Sequence, residues 1–98
     1  MGDLRFQSDG RKDAANRRKH GVSFDEAETV FSDEEALFLA DPRHSGEEDR
    51  FVLLGVSAAL RLLVVSHTYR EGNDVIRVIS ARKATRPERD QYLRRWRR

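Results

Sequence analysis

The chain has 98 residues, no cysteine and three histidines, with 19 Lys or Arg residues against 17 Asp or Glu residues. This length suits one domain over residues 1–98, and the lack of cysteine excludes a disulfide scaffold and a thiolate metal site. The histidines lack the close spacing of metal ligands, so we expect neither a bound metal nor a cofactor. The apolar runs are too short to cross a bilayer and the N-terminus does not read as a signal peptide, so a cytoplasmic location is expected.

The net charge of +2 hides a separation of charge along the chain. Residues 1–20 carry six basic against three acidic side chains, residues 21–50 carry two against ten, and residues 51–98 carry eleven against four. The arginine-rich last half suits phosphate binding, because a guanidinium group can hold a phosphate through two hydrogen bonds. An ordinary solvated surface is the alternative reading.

The N-terminal fifth of the chain predicts a short strand followed by a helix. Leu4–Phe6 suits a strand, and Ser8 or Asp9 can cap the helix that follows. This helix runs to His20, and Gly21 is well placed to end it.

A second helix is predicted directly after this glycine. Ser23 and Glu26 have the spacing of a capping box, and the acidic residues of the first turn are favoured by the helix dipole. The apolar residues that recur at helical spacing and predict its buried stripe are Phe24, Ala27, Val30 and Phe31.

Four apolar segments predict four further strands. Ala36–Asp41 reads as a strand and Pro42–Asp49 as a polar loop. The next three segments are "RFVLLGVS", "RLLVVSHTY" and "DVIRVISAR", with short turns around Ala58–Leu60 and Glu71–Asn73. Turns this short predict an antiparallel meander, and strands that are apolar on both faces need cover on both sides.

A C-terminal helix completes the predicted order. Thr85 and Glu88 form a second capping box, with Pro87 in the first turn. The apolar side of this helix comprises Tyr92, Leu93 and Trp96. The order is therefore β-α-α-β-β-β-β-α, an α+β domain on a mainly antiparallel sheet.

Several motifs together carry a family resemblance. They are the spacing of Asp9, Lys12 and Asn16, then "KHGVSF", and "IRVISAR.AT..E...Y" from Ile76 to Tyr92. In this order they resemble the BrnT toxins of type II toxin–antitoxin systems. The resemblance covers nearly the whole chain and implies a RelE-like fold and a metal-independent endoribonuclease that inhibits translation.

The resemblance also implies partners. RNA is the expected substrate, and a BrnA-like ribbon-helix-helix antitoxin is expected to neutralise the toxin. Operator DNA would be bound only through the antitoxin complex, in which a toxin dimer within a heterotetramer is compatible with the resemblance, and no membrane is involved. A catalytically inactive nucleic-acid-binding or protein-interaction module is the alternative.

Two positions depart from the pattern of the resembled family. Gln7 and Ser8 stand where that family usually has an acidic residue and then Trp, so an aromatic near the active face is lost. Leu60 stands where a glycine is usual in the turn before Arg61. The first change bears on activity and the second on the hairpin turn.

The predicted catalytic residues are Arg61, His67, Arg77 and Arg82. RNA cleavage needs a general base, positive groups for the charge of the transition state, and an acid for the leaving oxygen. Arg77 interrupts the apolar run "VIRVI", and His67 has an ordinary pKa suited to proton transfer near neutral pH. The alternatives are an ion pair or sheet-edge position for Arg77, a structural role for His67, and capping or strand-end solvation for Arg82.

The predicted RNA-binding residues are Lys12, Lys19, His20 and Tyr92. The first three belong to the basic first helix, where stabilisation of the helix C-terminus is an equally good explanation. Tyr92 could stack on a base or hydrogen-bond a phosphate, but its spacing also fits the apolar stripe of the last helix.

Overall fold

The computed structural model describes residues 4–40, 49–70, 72 and 74–94. Its elements are β1 (Arg5–Gln7), α1 (Gly10–His20), α2 (Phe24–Thr29) with a 3-10 turn at Val30–Ser32, β2 (Leu37–Ala40), β3 (Phe51–Val56), β4 (Leu62–Arg70), β5 (Val75–Lys83) and α3 (Arg86–Leu93). The predicted α+β order is confirmed. Residues 42–48 of the predicted loop Pro42–Asp49 lie outside the described residues, as does the apolar Trp96.

The five strands form one sheet with the order β1-β5-β4-β3-β2. Strands β2 to β5 pair antiparallel as the short turns predict. β1 instead pairs in parallel with β5, so that Gln7 lies opposite Arg77. No turn signal indicates this long-range pairing, because its two strands are far apart in sequence.

One face of the sheet is covered by α1, α2 and the 3-10 turn. The fully buried side chains of Phe24 and Val30 form its core with Leu63 and Val65 of β4. Asn16 fixes α1 to the sheet, because its amide donates to the carbonyl of Ala81 at 2.8 Å and accepts from the same residue's N–H at 3.1 Å. We call this side the α1–α2 face.

The opposite side, which we call the α3 face, is divided into two halves. Tyr92 of α3 packs on Leu54, Leu62 and Val64, so this half is apolar. Successive side chains of a strand alternate between faces, and paired residues share a face. The register of β4 and β5 therefore places a polar half beyond α3, which comprises Ser66, Thr68, Arg70, Arg77 and Ser80.

The helix ends follow the sequence with one exception. Gly21 ends α1 in the left-handed conformation at a φ of 70°, and Thr85 and Glu88 form the full capping box at α3. Ser23 caps α2 by accepting from the N–H of Glu26 at 3.0 Å. The Glu26 side chain does not complete the box, because it binds Arg61 of the β3–β4 hairpin.

Asp33 closes the edge of the sheet at a point that β2 does not reach. Its Oδ2 accepts hydrogen bonds from the N–H of Val56 at 2.8 Å and from the Tyr92 hydroxyl at 2.7 Å. Gly55 permits this close approach, since a Cβ there would lie 3.0 Å from Oδ2 of Asp33 and 2.9 Å from the Cβ of Ala36.

Candidate functional site

Arg77 lies in the polar half of the α3 face. It is a residue of β5, and it lies opposite Thr68 of β4 on one side and opposite Gln7 of β1 on the other. Within the described ranges its guanidinium makes no hydrogen bond and no ion pair, although the side chain is partly buried. A half-buried arginine without an internal partner retains its donors for an anionic ligand.

A pocket of about 400 Å³ surrounds this arginine, and its walls are polar. The residues that line it are Gln7, Ser8, Asp9, Arg70 and Arg77. The two arginines come from the ends of neighbouring strands, and the other three residues connect β1 to α1. The departure of Gln7 and Ser8 from the family pattern therefore falls in the pocket that contains Arg77.

Asp9 contributes a carboxylate to this pocket. It is the N-cap of α1, and its Oδ1 accepts from the N–H of Arg11 at 2.8 Å. Among the described residues, Oδ2 makes no further hydrogen bond and no ion pair with Arg77. Asp9 and Arg77 thus place opposite charges in one pocket, without an ion pair between the two in the described structure.

Arg82 lies on the same face but is already paired. Its guanidinium holds both carboxylate oxygens of Glu88, at 2.8 and 2.9 Å. This fork, with the backbone of Thr85, holds the pKa of Glu88 at about 2, and Glu88 raises the pKa of Arg82. The pair joins β5 to the start of α3, so Arg82 reaches a ligand only alongside or in exchange for Glu88.

The basic residues of α1 meet at the free edge of β5. Lys12, Lys19 and His20 line a second pocket of about 310 Å³ together with Ile79 and Ser80 of the strand. β1 ends its pairing at Arg77, so this later part of β5 has no neighbouring strand on that side among the described residues. The basic side of α1 is therefore joined to the polar half of the α3 face through Ser80.

Arg61 lies at the opposite end of the sheet and is held by α2. Its Nε donates to Oε2 of Glu26 at 2.8 Å, and one terminal nitrogen bonds both Oε1 of Glu26 and the carbonyl of Gly21. The Ser57 hydroxyl adds a 2.7 Å hydrogen bond to the same carboxylate. Arg61 and this hydroxyl lower the pKa of Glu26. The structure therefore separates Arg61 from Arg77 and gives it a structural partner.

His67 belongs to the α1–α2 face, where it is 0% exposed. Aromatic rings surround it at centroid distances of 4.8 to 6.2 Å, from Phe31, Phe38, Phe51 and Tyr69. Nδ1 is 3.2 Å from the carbonyl of Val65, and Nε2 has no partner in the described part of the chain. Burial lowers the pKa of His67. Its full burial among aromatic rings places His67 in the core, on the face opposite Arg77.

Tyr92 is 6% exposed and its hydroxyl donates to Asp33. The ring packs on the apolar half of the α3 face rather than on the polar half. Tyr92 therefore occupies the core position that its spacing in the last helix indicated as the alternative to RNA binding.

Sequence reasoning missed Asp9, Arg70 and Glu88 as neighbours of the predicted residues. The signal for Asp9 was present, since it opens the Asp9–Lys12–Asn16 spacing, but its N-cap role explained it sufficiently. Arg70 becomes visible only through the register that places it on the face of Arg77. In the sequence Glu88 is recognisable only as half of a capping box, and the structure shows that it also binds Arg82 of β5.

Among the described residues, no group of three or more His, Cys, Asp or Glu side chains is arranged to hold a metal ion. None of their helices combines the length and the apolar character that a membrane span requires.

Comparisons with known proteins agree with this fold. Residues 9–88 match the family model described as the ribonuclease toxin, BrnT, of type II toxin–antitoxin systems. The crystal structure of the Brucella abortus ribonuclease toxin BrnT superposes with a TM-score of 0.62 at 23% identity, covering 86% of this chain and 100% of the other. No curated protein sequence matches the chain.

Proposed function

Since the chain belongs to the BrnT family of ribonuclease toxins of type II toxin–antitoxin systems, we propose that it is a metal-independent endoribonuclease whose cleaving surface is the polar half of the α3 face. The single observation that carries this location is Arg77. It is a partly buried arginine that lines an open polar pocket and makes no contact with an internal acid in the described residues.

The chemistry of RNA cleavage matches the groups in this pocket. When the 2′-oxygen attacks the neighbouring phosphate, negative charge builds up on the phosphoryl oxygens, and preorganised cations stabilise it. Arg77 and Arg70 line one pocket and supply that charge. A protein that supplies the cations itself does not need a metal ion for this purpose.

The basic edge of α1 extends the same surface for binding. Lys12, Lys19 and His20 would contact phosphates that flank the cleaved position, because their pocket meets the polar half of the α3 face at Ser80. Phosphate contacts of this kind supply sequence-independent affinity. Arg82 would contribute more weakly to binding, because Glu88 already holds its guanidinium.

An antitoxin partner follows from the family, and its chemistry is part of the proposal. We expect a BrnA-like ribbon-helix-helix antitoxin that neutralises the toxin and binds operator DNA in the complex. The acidic segment 21–50, which includes the exposed Asp25 and Glu34, suits a basic surface on this partner. Cleavage of messenger RNA would then inhibit translation once the antitoxin is removed.

The first experiment is cleavage of a purified transcript by the isolated protein in EDTA without ribosomes. A separate assay adds ribosomes in Mg²⁺, which they need to stay assembled. We expect cleavage that leaves a 2′,3′-cyclic phosphate. Arg77→Ala should lower the rate by about 100-fold or more, as loss of one charge-stabilising donor does elsewhere, and should abolish growth inhibition. Arg89→Ala, an exposed arginine of α3, is the matched control and should retain activity.

Each result has a defined meaning. Full cleavage by a folded Arg77→Ala protein would remove Arg77 from the site. Cleavage that stops in EDTA and returns with added Mg²⁺ would refute metal independence. A lack of cleavage both with and without ribosomes would refute the ribonuclease proposal.

One observation favours a second candidate function, an inactive nucleic-acid-binding relative. Gln7 and Ser8 line the Arg77 pocket at positions where the resembled family usually has an acid and Trp. Salt-sensitive RNA binding without cleavage under either condition would support this alternative.

A further inference from the structure

We propose that Asp9 is the general base of the cleavage reaction, accepting the proton of the RNA 2′-hydroxyl in the pocket that it shares with Arg77. This inference rests on the proposed ribonuclease function and adds to it the proton acceptor.

The position of Asp9 is the first argument. Its carboxylate lines the same 400 Å³ pocket as Arg77 and Arg70, and it is half-buried. Asp9 and Arg77 make no ion pair with each other in the described structure, and the pocket of about 400 Å³ that both line has room for a ribose and its phosphate. The N-cap bond uses Oδ1 and fixes the carboxylate on α1, which leaves Oδ2 for a substrate.

Other proton acceptors near the α3 face are less suitable. Glu88 is held by both nitrogens of the Arg82 fork, and its pKa of about 2 makes it a weak base. His67 is fully buried among aromatic rings on the other face. The hydroxyls of Ser66 and Thr68 are buried and are poor bases at neutral pH.

The proposed step is a balanced transesterification. Oδ2 of Asp9 takes the 2′-hydroxyl proton as the 2′-oxygen forms a bond to phosphorus. The bond from phosphorus to the 5′-oxygen breaks, and this oxygen leaves with a proton taken from solvent water. Arg77 and Arg70 hold the negative charge of the phosphoryl oxygens during the step. The products are a 2′,3′-cyclic phosphate and a 5′-hydroxyl, and the carboxyl of Asp9 then loses its proton to water.

The test separates catalysis from folding and from binding. Asp9→Asn and Asp9→Ser both retain a good N-cap, so the urea midpoint should change little. Cleavage should fall by about 10²- to 10⁴-fold, the usual contribution of a general base. Binding of a fully 2′-O-methylated RNA, which lacks the nucleophile, should stay unchanged or tighten because a negative charge is removed.

Rescue by a longer carboxylate supplies the second readout. Asp9→Glu, which keeps the carboxylate on a longer stem, should recover part of the rate. A merely structural Asp9 would show the opposite order, because the capping residues Asn and Ser would replace it well and Glu would replace it poorly.

The outcomes distinguish this inference from the proposed function. If Asp9→Asn cleaves at the wild-type rate, or loses binding and cleavage in equal measure, the assignment of the base is overturned while the ribonuclease proposal stands. If wild-type protein cleaves neither free nor ribosome-bound RNA, both are overturned.

Discussion

At the scale of single residues, Leu60 departs from the family pattern at a position where the backbone favours glycine. In the β3–β4 hairpin the Leu60 N–H donates a hydrogen bond to the Ser57 carbonyl, and Leu60 itself has a φ of 62°. Three-residue hairpin loops usually place glycine at this left-handed position. Leu60 is also 85% exposed, so it gains no burial that would offset the strain.

Leu60→Gly is therefore expected to stabilise the protein. The left-handed conformation costs a side-chain-bearing residue about 1–2 kcal/mol, and the extra freedom of glycine in the unfolded chain offsets part of this gain. We expect an increase of about 1 kcal/mol in the free energy of unfolding, measured by urea denaturation. Ala59→Gly, at a neighbouring turn position without a positive φ, is the control and should not stabilise. A destabilised Leu60→Gly protein would contradict the strain argument.

His67 is the second residue whose environment has a measurable consequence. Burial lowers its pKa in the folded protein, so the unfolded chain takes up this proton first as the pH falls below about 6.5. The stability contributed by neutral His67 is thus fully present above that pH and is lost as the pH falls towards the folded pKa. The lowered pKa values of Glu26 and Glu88 act in a more acidic window, below about pH 4.5.

We predict that the free energy of unfolding decreases as the pH falls below about 6.5, with a slope of at most about 1.4 kcal/mol per pH unit from this one group. His67→Phe, which keeps an aromatic ring in the cluster, should remove this part of the slope. His20→Gln should leave it in place. The measurement is urea unfolding at a series of pH values, and an unchanged slope in His67→Phe would refute the assignment.

At the scale of elements, α3 is held by contacts at both of its ends. In the first turn of the helix, Glu88 binds Arg82 of β5. In its last turn, the Tyr92 hydroxyl donates to Asp33, which lies beside the edge of β3. The helix has eight residues and could not persist alone in water. Its attachment, rather than its own propensity, therefore maintains the apolar cover on this half of the sheet.

Tyr92→Phe should reduce the free energy of unfolding by about 1–2 kcal/mol, since the hydroxyl donates to a carboxylate in a half-buried position. The ring packing is retained, so RNA cleavage should persist if Tyr92 serves the core. Tyr69→Phe is the matched control, because its hydroxyl makes no hydrogen bond to a described residue, and it should change stability much less. Loss of cleavage in a folded Tyr92→Phe protein would return Tyr92 to the RNA-binding surface.

At the scale of the whole molecule, the charge blocks of the sequence become distinct surfaces. The basic residues of α1 lie along the free edge of β5, and the arginines of β4 and β5 lie on the α3 face beside them. The acidic residues of α2 lie on the other end of the sheet, where Glu26 binds Arg61. RNA and a basic partner can therefore approach different sides of the molecule.

RNA binding should weaken as salt rises, in proportion to the number of phosphate contacts. Lys12→Ala together with Lys19→Ala should reduce the slope of log affinity against log salt by about 1.4, because each contact to single-stranded RNA contributes about 0.7. Arg17→Ala with Arg18→Ala removes the same charge from the same helix outside the pocket. Equal effects of the two double variants would show that net charge, rather than this edge, determines binding.

Local patterns in the sequence are sufficient to predict the helices and strands of this protein, because caps, turns and apolar periodicity act over a few residues. Residues adjacent in sequence were enough to predict the helix end at Gly21, the Thr85–Glu88 capping box and the three strands of the meander. The motifs likewise indicated the family before any contact was known. Among the site residues, Arg77 stood out locally as a charge within an apolar strand.

Which of the predicted residues lie close together depends on long-range contacts that no local pattern shows. The sequence does not distinguish the four predicted catalytic residues, which are all polar residues in or beside apolar strands: Arg61, His67, Arg77 and Arg82. The parallel pairing of β1 with β5 brings Arg77 into the same pocket as Asp9. Strand alternation, with one irregularity in the β4–β5 register, places His67 on the opposite face, in the core. Burial and ion pairs between residues far apart in sequence then decide which charges are neutralised and which face a ligand. Glu26, for example, neutralises Arg61.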